Sequence, residues 1–490
     1  MISMRSTPPS PSEGAKMPTR EMPWVSLPSA IQHRNYRMKT HHAPTNWEGT
    51  APAADAGLGR IHRGADGIGY VGLLGFALFA WLGTAGANAA LLLMLVATVI
   101  HGITGEVRQL IRSPLAAWAA VWLAYVAFWA MQGPVAGQQA AGFYDAAAGY
   151  AYLALVVVPA WWLARFASTR HWLRVALLAL VGFVLGRLVE VDWADPLRFF
   201  RQRDGLGLPA IALGQYAAAA LLGLLLMPPD MAAQRVDEPN RWIRAALWTL
   251  LLVTVAFLLL ASRSRGAWLA FLVVLIPALW FRYRARPNPA GHAAAHWPLA
   301  AAVAGGAGLL ALAVWYTDAA DMVQNRLQAE SQTYQAVIEG RWSDVGDGSI
   351  GTRIQMYRLG MERFAEAPLV GWGPGMGKWM LDRSGSEHLA KFQDLHSLLI
   401  QLPAELGMIG VVLFVVPLAL AIAGFARERL PVSKPMLILI ISGLALHLLC
   451  AATNFRVFNV DWRFYWFLFA GFGLALAIAP AGAGTREDCR

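Results

Sequence analysis

Three arginine-bearing segments and one histidine are the residues of this 490-residue chain whose types and spacing suit chemistry on an anion. Arg198, Arg201 and Arg203 fall within six positions. Arg263 and Arg265 alternate with serine in Ser262-Arg263-Ser264-Arg265-Gly266-Ala267-Trp268, and Arg353 and Arg358 lie in Thr352-Arg353-Ile354-Gln355-Met356-Tyr357-Arg358. A guanidinium stays charged and presents a planar fork of N–H donors that matches phosphate oxygens, so arginines converging from separate loops would hold a diphosphate. Gly266 would let the anion approach the backbone, and free N–H groups at the start of a helix after Arg265 would favour it further. Taken singly, each arginine has a plainer explanation, snorkelling to lipid headgroups or pairing with Asp192, Asp195 and Asp204. His396, in Asp394-Leu395-His396-Ser397, stands at the mouth of an apolar helix, where a neutral imidazole can accept a proton near neutral pH. A histidine at a helix start more often serves structure than catalysis. Glu405, two to three turns deeper, needs a partner or a water-filled cavity. His388, in a polar stretch without a motif, and His447, deep in an apolar run, compete with His396.

The elements that must position these residues are membrane helices. Hydrophobic residues make up 57% of the chain and charged ones 14%; with a mean hydropathy of +0.45, this excludes an ordinary water-soluble globule. A bilayer core takes about 20 apolar residues per helix, and twelve such runs are expected. The first six centre near Phe76, Met94, Leu123, Leu155, Ala179 and Ala218. Then come Ile243 to Ala261, Gly266 to Phe281, Trp297 to Trp315, Met408 to Phe425, Pro435 to Ala452 and Phe464 to Ala479. The fold class is thus an all-α polytopic membrane protein of about twelve spans with one large loop between spans nine and ten. The domain plan is a disordered cytoplasmic tail over 1–65, spans one to nine over 66–315, the loop domain over 316–395, spans ten to twelve over 396–480 and a cytoplasmic tail over 481–490. Cys450 and Cys489 cannot easily meet, so neither a disulfide framework nor a cysteine-based zinc site holds the fold.

The net charge of +10 reports orientation rather than nucleic acid. Basic residues cluster in alternate short loops, among them Arg165, Arg170 and Arg174, and Arg282, Arg284 and Arg286. Those loops and both termini are expected to be cytoplasmic. The arginine segments above then fall on the outer side, against the bias, so something else should favour them there. Arg456 and Arg463 in the last outer loop are weaker exceptions without an assignment.

The long loop, Tyr316 to Leu395, carries eight basic and eleven acidic residues and is a solvated domain. Within it, Ile354, Tyr357, Met361 and Phe364 recur at three- and four-residue steps, predicting an amphipathic helix over Thr352 to Glu366 that lies on the outer surface and ends before Pro368. The glycine-rich run Pro368-Leu-Val-Gly371-Trp372-Gly373-Pro374-Gly375 reads either as a turn anchored by Trp372 at the interface or as a contact for sugar.

Arginines on a diphosphate and a histidine near an acceptor hydroxyl suit transfer of a glycan from a lipid diphosphate, with the arginines stabilising the leaving group and the histidine acting as base. No outward cluster of His, Asp and Glu has metal-ligand spacing, so a metal-independent transfer without cofactor is expected. In order and spacing, Ser262-Arg-Ser-Arg265-Gly-Ala-Trp-Leu, Gly351-Thr-Arg353 with Pro368-Leu-Val-Gly-Trp-Gly-Pro-Gly, and His396-Ser-Leu with Glu405-Leu-Gly407 resemble the O-antigen ligase and polymerase superfamily of bacterial inner-membrane proteins. The resemblance implies a multi-pass Gram-negative inner-membrane enzyme with its active site in the periplasm. It would be an inverting glycosyltransferase that moves O-antigen polysaccharide from undecaprenyl diphosphate to a sugar of lipid A-core and completes lipopolysaccharide. It implies Arg265, Arg353 and His396 as the essential residues, with Arg203 first, then Arg201, and with Arg198, Arg263 and Arg358, on the donor diphosphate. Its expected partners are the lipid-linked donor, lipid A-core and membrane lipids. O-antigen polymerases and protein O-oligosaccharyltransferases share the donor. A single dominant outer loop and a chain that stops soon after span twelve favour the ligase. A transporter would show related halves or broken helices, and the sequence has no convincing internal repeat.

Overall fold

A computed structural model describes residues 53–104, 107–195, 205–228, 241–284, 330–426 and 432–478. The described residues form helices and no strand: α1 (Ala53–Phe79), α2 (Thr84–Ile103), α3 (Pro114–Gln132), α4 (Ala140–Arg165), α5 (Thr169–Val189), α6 (Ala210–Leu226), α7 (Arg241–Ala261), α8 (Arg265–Arg284), α9 (Ser349–Glu366), α10 (Met376–Asp382), α11 (Leu398–Ala426), α12 (Lys434–Ala452) and α13 (Val460–Ile478). Of these, α2, α3, α4, α5, α7, α8, α11 and α12 are long and apolar enough to cross a membrane. The chain is an all-α polytopic membrane protein. The runs expected near Phe76, near Ala218 and from Phe464 are α1, α6 and α13, whereas the run Trp297 to Trp315 lies outside the described residues. Helix α1 begins at Ala53, ahead of residue 65.

Helix starts follow their local sequence. Ser113 caps α3 by accepting from Ala116 N at 3.2 Å, with Pro114 in the first turn, and Ser168 caps α5 by accepting from His171 N at 3.3 Å. In lipid, helices gain little from the hydrophobic effect and associate through close packing and interhelical hydrogen bonds. Helix α5 uses Gly182 and Gly186, one turn apart, to lie on α1: a Cβ at these positions would be 2.0 Å from Leu78 O and 2.3 Å from Trp81 O. Buried tryptophans bridge other pairs. Trp122 Nε1 donates to Tyr150 O at 2.7 Å, Trp162 Nε1 to Met94 O at 3.0 Å and Trp118 Nε1 to Leu413 O at 2.7 Å. Helix α13 packs against α11 and α4 at the centre, and α6 against α7, α8 and α12.

Contacts fix which segments share an end of the bundle. At one end Ser433 N donates to Thr169 Oγ1 at 2.8 Å and Arg282 Nε to Leu226 O at 3.0 Å. Also there, Asp66 joins α1 to Arg165 at 2.5 Å and to His101 at 3.1 Å. The opposite end carries residues 330–397, which have their own small core of Met356, Met376, Met380, Leu381, Leu389 and Leu395 set against Ala404 of α11. The amphipathic helix expected from Thr352 is α9, but its packed face is Thr352, Met356 and Gly360, while Met361 is 47% exposed. The reason is that α9 docks on protein: a Cβ at Gly360 would meet Ile400 Cγ2 at 2.4 Å, and Met356 is fully buried in the small core.

Candidate active site

The site is assembled on a deliberately broken helix. Helix α11 has 29 residues, and at Gly407 its backbone leaves helical geometry, with φ 61° and ψ −170°. In an unbroken helix Met408 N would bond Ala404 O and Ile409 N would bond Glu405 O. Both pairs are replaced by the glycine-rich run. Trp372 N donates to Ala404 O at 3.0 Å and Gly373 N to Glu405 O at 2.7 Å. Met408 N donates to Pro368 O at 2.9 Å and Ile409 N to Leu369 O at 3.1 Å. Tyr125 Oη adds a bond to Leu406 O at 2.7 Å. These freed groups are therefore satisfied, as a buried backbone requires. Gly371, with φ 77°, is needed for the approach, since a Cβ there would be 2.4 Å from Glu405 O. The run Pro368–Gly375 is thus a backbone clamp on α11.

The clamp also fixes Glu405, which is fully buried. Its carboxylate accepts from Tyr150 Oη at 2.8 Å, from Gly377 N at 3.1 Å and from Gln401 Nε2 at 2.8 Å. Gln401 Oε1 in turn accepts from Leu395 N at 2.8 Å, next to His396. Glu405 is a node that joins α4, α10 and the segment before α11, and its lack of exposure separates it from any substrate.

His396 sits in the turn just before α11 with φ 55°. One carboxylate oxygen of Asp394 accepts from His396 N at 2.8 Å and lies 2.7 Å from Nδ1. With an acceptor on Nδ1, the ring hydrogen belongs there and Nε2 carries the lone pair. The imidazole, 30% exposed, rests edge-on against Phe392 with centroids 5.4 Å apart. Sequence reasoning gave Asp394 no role; its signal was an Asp two residues before the histidine, the spacing of an Asx turn.

Arg265 and His396 come to the same helix end. Ser397 Oγ donates to Ala452 O at 2.8 Å, at the last residue of α12. On the other side a Cβ at Gly266 would lie 3.4 Å from Thr453 Oγ1. The N-termini of α8 and α11 thus flank the end of α12. Arg265 is exposed and Arg263 half-buried, the latter with φ 47°. Ser262 and Ser264 beneath them are buried; Ser262 Oγ donates to Leu259 O at 2.6 Å and accepts from Ser264 N at 3.2 Å, which locks the turn.

Arg353 is half-buried in α9, and among the described residues it has no acidic partner. One turn on, and so on the same face, Tyr357 Oη lies 3.5 Å from His396 O. Beside Arg353, Thr352 Oγ1 is 2.9 Å from His388 Nε2, and the His388 ring meets Phe392 with centroids 5.5 Å apart. His388 therefore supports the wall behind His396. Arg358 is exposed, paired with Glu362 at 2.8 Å and 5.7 Å from the Trp342 ring.

Arg198, Arg201 and Arg203 lie outside the described residues. The turn that follows them is held by the buried Arg187, which donates to Leu206 O and, at 3.2 Å, to Trp81 O. Among the described residues, the non-glycine residues with positive φ are Leu206, which follows the first arginine segment, Arg263, within the second, and His396. Such backbone clusters at functional sites. Arg456 is buried in an ion pair with Asp461 at 2.6 Å, to which Tyr216 Oη also donates at 2.5 Å; it braces the loop after Thr453. His447 is buried at 2.6 Å from Gln215 and stacked on Tyr465. Among the described residues no three His, Cys, Asp or Glu side chains gather as metal ligands.

The fold and site define a polytopic helical membrane protein with arginines and an Asp-oriented histidine at one end of its bundle. Residues 250–415 match the family model described as O-antigen ligase, a stretch that runs from α7 into α11 and contains Arg265, Arg353, His396 and the clamp. That stretch of the chain is similar to the O-antigen ligase family. No curated protein matches it.

Proposed function

We propose that the protein is an O-antigen ligase of the Gram-negative inner membrane, with both termini cytoplasmic and the end bearing His396 facing the periplasm. It transfers polysaccharide from undecaprenyl diphosphate to a sugar hydroxyl of lipid A-core, inverting the anomeric centre without a metal. The observation that carries this is the gathering of Arg265–Gly266 and the His396–Asp394 pair around the end of α12.

His396 Nε2 takes the proton from the acceptor hydroxyl as its oxygen attacks the anomeric carbon. The imidazolium that forms is stabilised by the Asp394 carboxylate on Nδ1. The bond from the anomeric carbon to the diphosphate oxygen breaks, and the charge left there is met by Arg265 and Arg353, with Arg203, Arg201, Arg198 and Arg263 contributing. The N-termini of α8 and α11 add backbone N–H groups of the same polarity. Arg358, engaged with Glu362, stands at the rim.

The test is glycan transfer from undecaprenyl-diphosphate-linked donor to purified lipid A-core in detergent with EDTA, for wild type, His396→Ala, Arg265→Ala and Arg353→Ala. Product from wild type only is expected. No product from folded wild type would turn the assignment to the polymerase or the protein O-oligosaccharyltransferase, and product from all three variants would overturn the site. A transporter would give no product without a gradient.

A further inference from the structure

At the same end of the bundle as His396, one carboxylate with no part in the transfer chemistry gathers charge from four segments. Asp461, in the first turn of α13, accepts at a single oxygen, Oδ2, from Tyr216 Oη of α6 at 2.5 Å and from Arg456 Nη2 of the loop after α12 at 2.6 Å. It also interacts electrostatically with Arg187 of α5 and Arg463 of α13. Tyr216, Arg187 and Arg456 are buried. Three guanidinium groups share this acid, since Glu190, the other carboxylate near Arg187, is exposed at the end of α5. The Nε atoms of Arg187, Arg456 and Arg463 are buried without a hydrogen-bond partner, so none of the three is fully satisfied by its surroundings. A buried cation held this way depends strongly on its one counter-charge.

The two donors on Oδ2 belong to segments that flank the start of α8. Two residues before Tyr216, a Cβ at Gly214 would be 2.8 Å from Ser262 Oγ and from Ala267 Cβ and 3.0 Å from Ser264 Cβ, so α6 lies directly against this turn. The loop begins at Thr453, whose Oγ1 is 3.4 Å from a Cβ at Gly266, and a bond from Asn459 N to Arg456 O at 2.9 Å tightens it. We propose that Asp461 is a positioning residue for the donor diphosphate: by tying Tyr216 to Arg456 it sets the gap in which the start of α8, with Gly266, meets the anion. This rests on the reading of that helix start as part of the donor site. A carboxylate beside an anion site repels the ligand, so its place there is explained by the charge-assisted bond that holds Arg456 at one distance from Tyr216. His396 is tied instead to the last residue of α12, through Ser397 Oγ and Ala452 O at 2.8 Å. The acceptor side is therefore independent of Asp461.

The experiment measures the Kd of the detergent-purified full chain for undecaprenyl diphosphate and, separately, for lipid A-core, with thermal unfolding of each variant alongside. Asp461→Asn keeps an acceptor for Tyr216 and Arg456 and removes the charge. It is expected to weaken binding of undecaprenyl diphosphate at least about tenfold, an effect within the range for a misplaced binding group, and to leave lipid A-core binding unchanged. Tyr216→Phe removes one hydrogen bond and retains the Arg456 ion pair, so it decides the matter should Asp461→Asn fail to fold; a loss of about threefold or more for the same lipid is expected. A role in stability alone would lower the unfolding temperature and leave the Kd of the folded variants as in wild type. That result, tighter binding of the diphosphate by Asp461→Asn, an equal change for both lipids, or no binding of undecaprenyl diphosphate by wild type would overturn the proposal. Wild type that binds the diphosphate selectively through Asp461 and yet makes no ligase product would uphold it and overturn the acceptor assignment instead.

Discussion

Gly407→Ala is expected to damage the protein through the clamp on α11. A Cβ at Gly407 would stand 2.3 Å from Leu369 O and 2.4 Å from the Leu369 carbonyl carbon, both backbone atoms held by their own hydrogen bonds. At φ 61° and ψ −170° a side chain is confined to a region that costs about 1–3 kcal/mol. Overpacking against the facing backbone adds about 1–3 kcal/mol, so the loss is about 2–6 kcal/mol in all. If α11 instead straightens, the four bonds of the clamp open and Glu405 and Gln401 move away from Leu395, which carries His396 with it. The assay is the apparent unfolding temperature of detergent-purified protein together with glycan transfer at a temperature where the variant is folded. A fall of at least about 2 °C is expected, with reduced transfer. Gly102→Ala in α2, where nothing lies within 4 Å, is the control and should change neither. Gly407→Ala that unfolds with wild type and transfers normally would refute the clamp.

Other outcomes follow from the same geometry. Asp394→Asn keeps an acceptor for His396 N but removes the charge opposite Nδ1, so transfer should fall about 10–100-fold with unfolding unchanged, whereas transfer within twofold of wild type would sink the dyad. Arg353→Ala should lower transfer by at least about 100-fold, while Arg358→Ala, already engaged with Glu362 on the surface, should stay within about threefold; equal losses would put both on the donor. Glu405→Gln replaces an acceptor of three hydrogen bonds by a group that is half donor, so stability should fall by about 1–3 kcal/mol in thermal unfolding. Unaltered unfolding would show that Glu405 is not the node described.

Hydropathy runs by themselves determined the membrane class and the placement of most helices, because lipid requires each span to satisfy its own backbone and so writes its length into local sequence. The sequence also singled out the arginine segments and His396 ahead of a span as candidates. What could not be read was how they meet. Gly371 and Gly407 are 36 positions apart, and only their juxtaposition shows that the glycine-rich run repairs a helix break rather than meeting a sugar. Arg265 and His396 come to one helix end only because the residues after them, Gly266 and Ser397, approach the end of α12, and Asp394 acquires its role from an Asx turn held by Gln401. The packed face of α9, Thr352, Met356 and Gly360, departed from its apolar period because α9 docks on protein at Ile400. Sequence records what each segment must be for its solvent, and tertiary structure decided the partners, because hydrogen bonds and close contacts between distant segments depend on distances that no local pattern encodes.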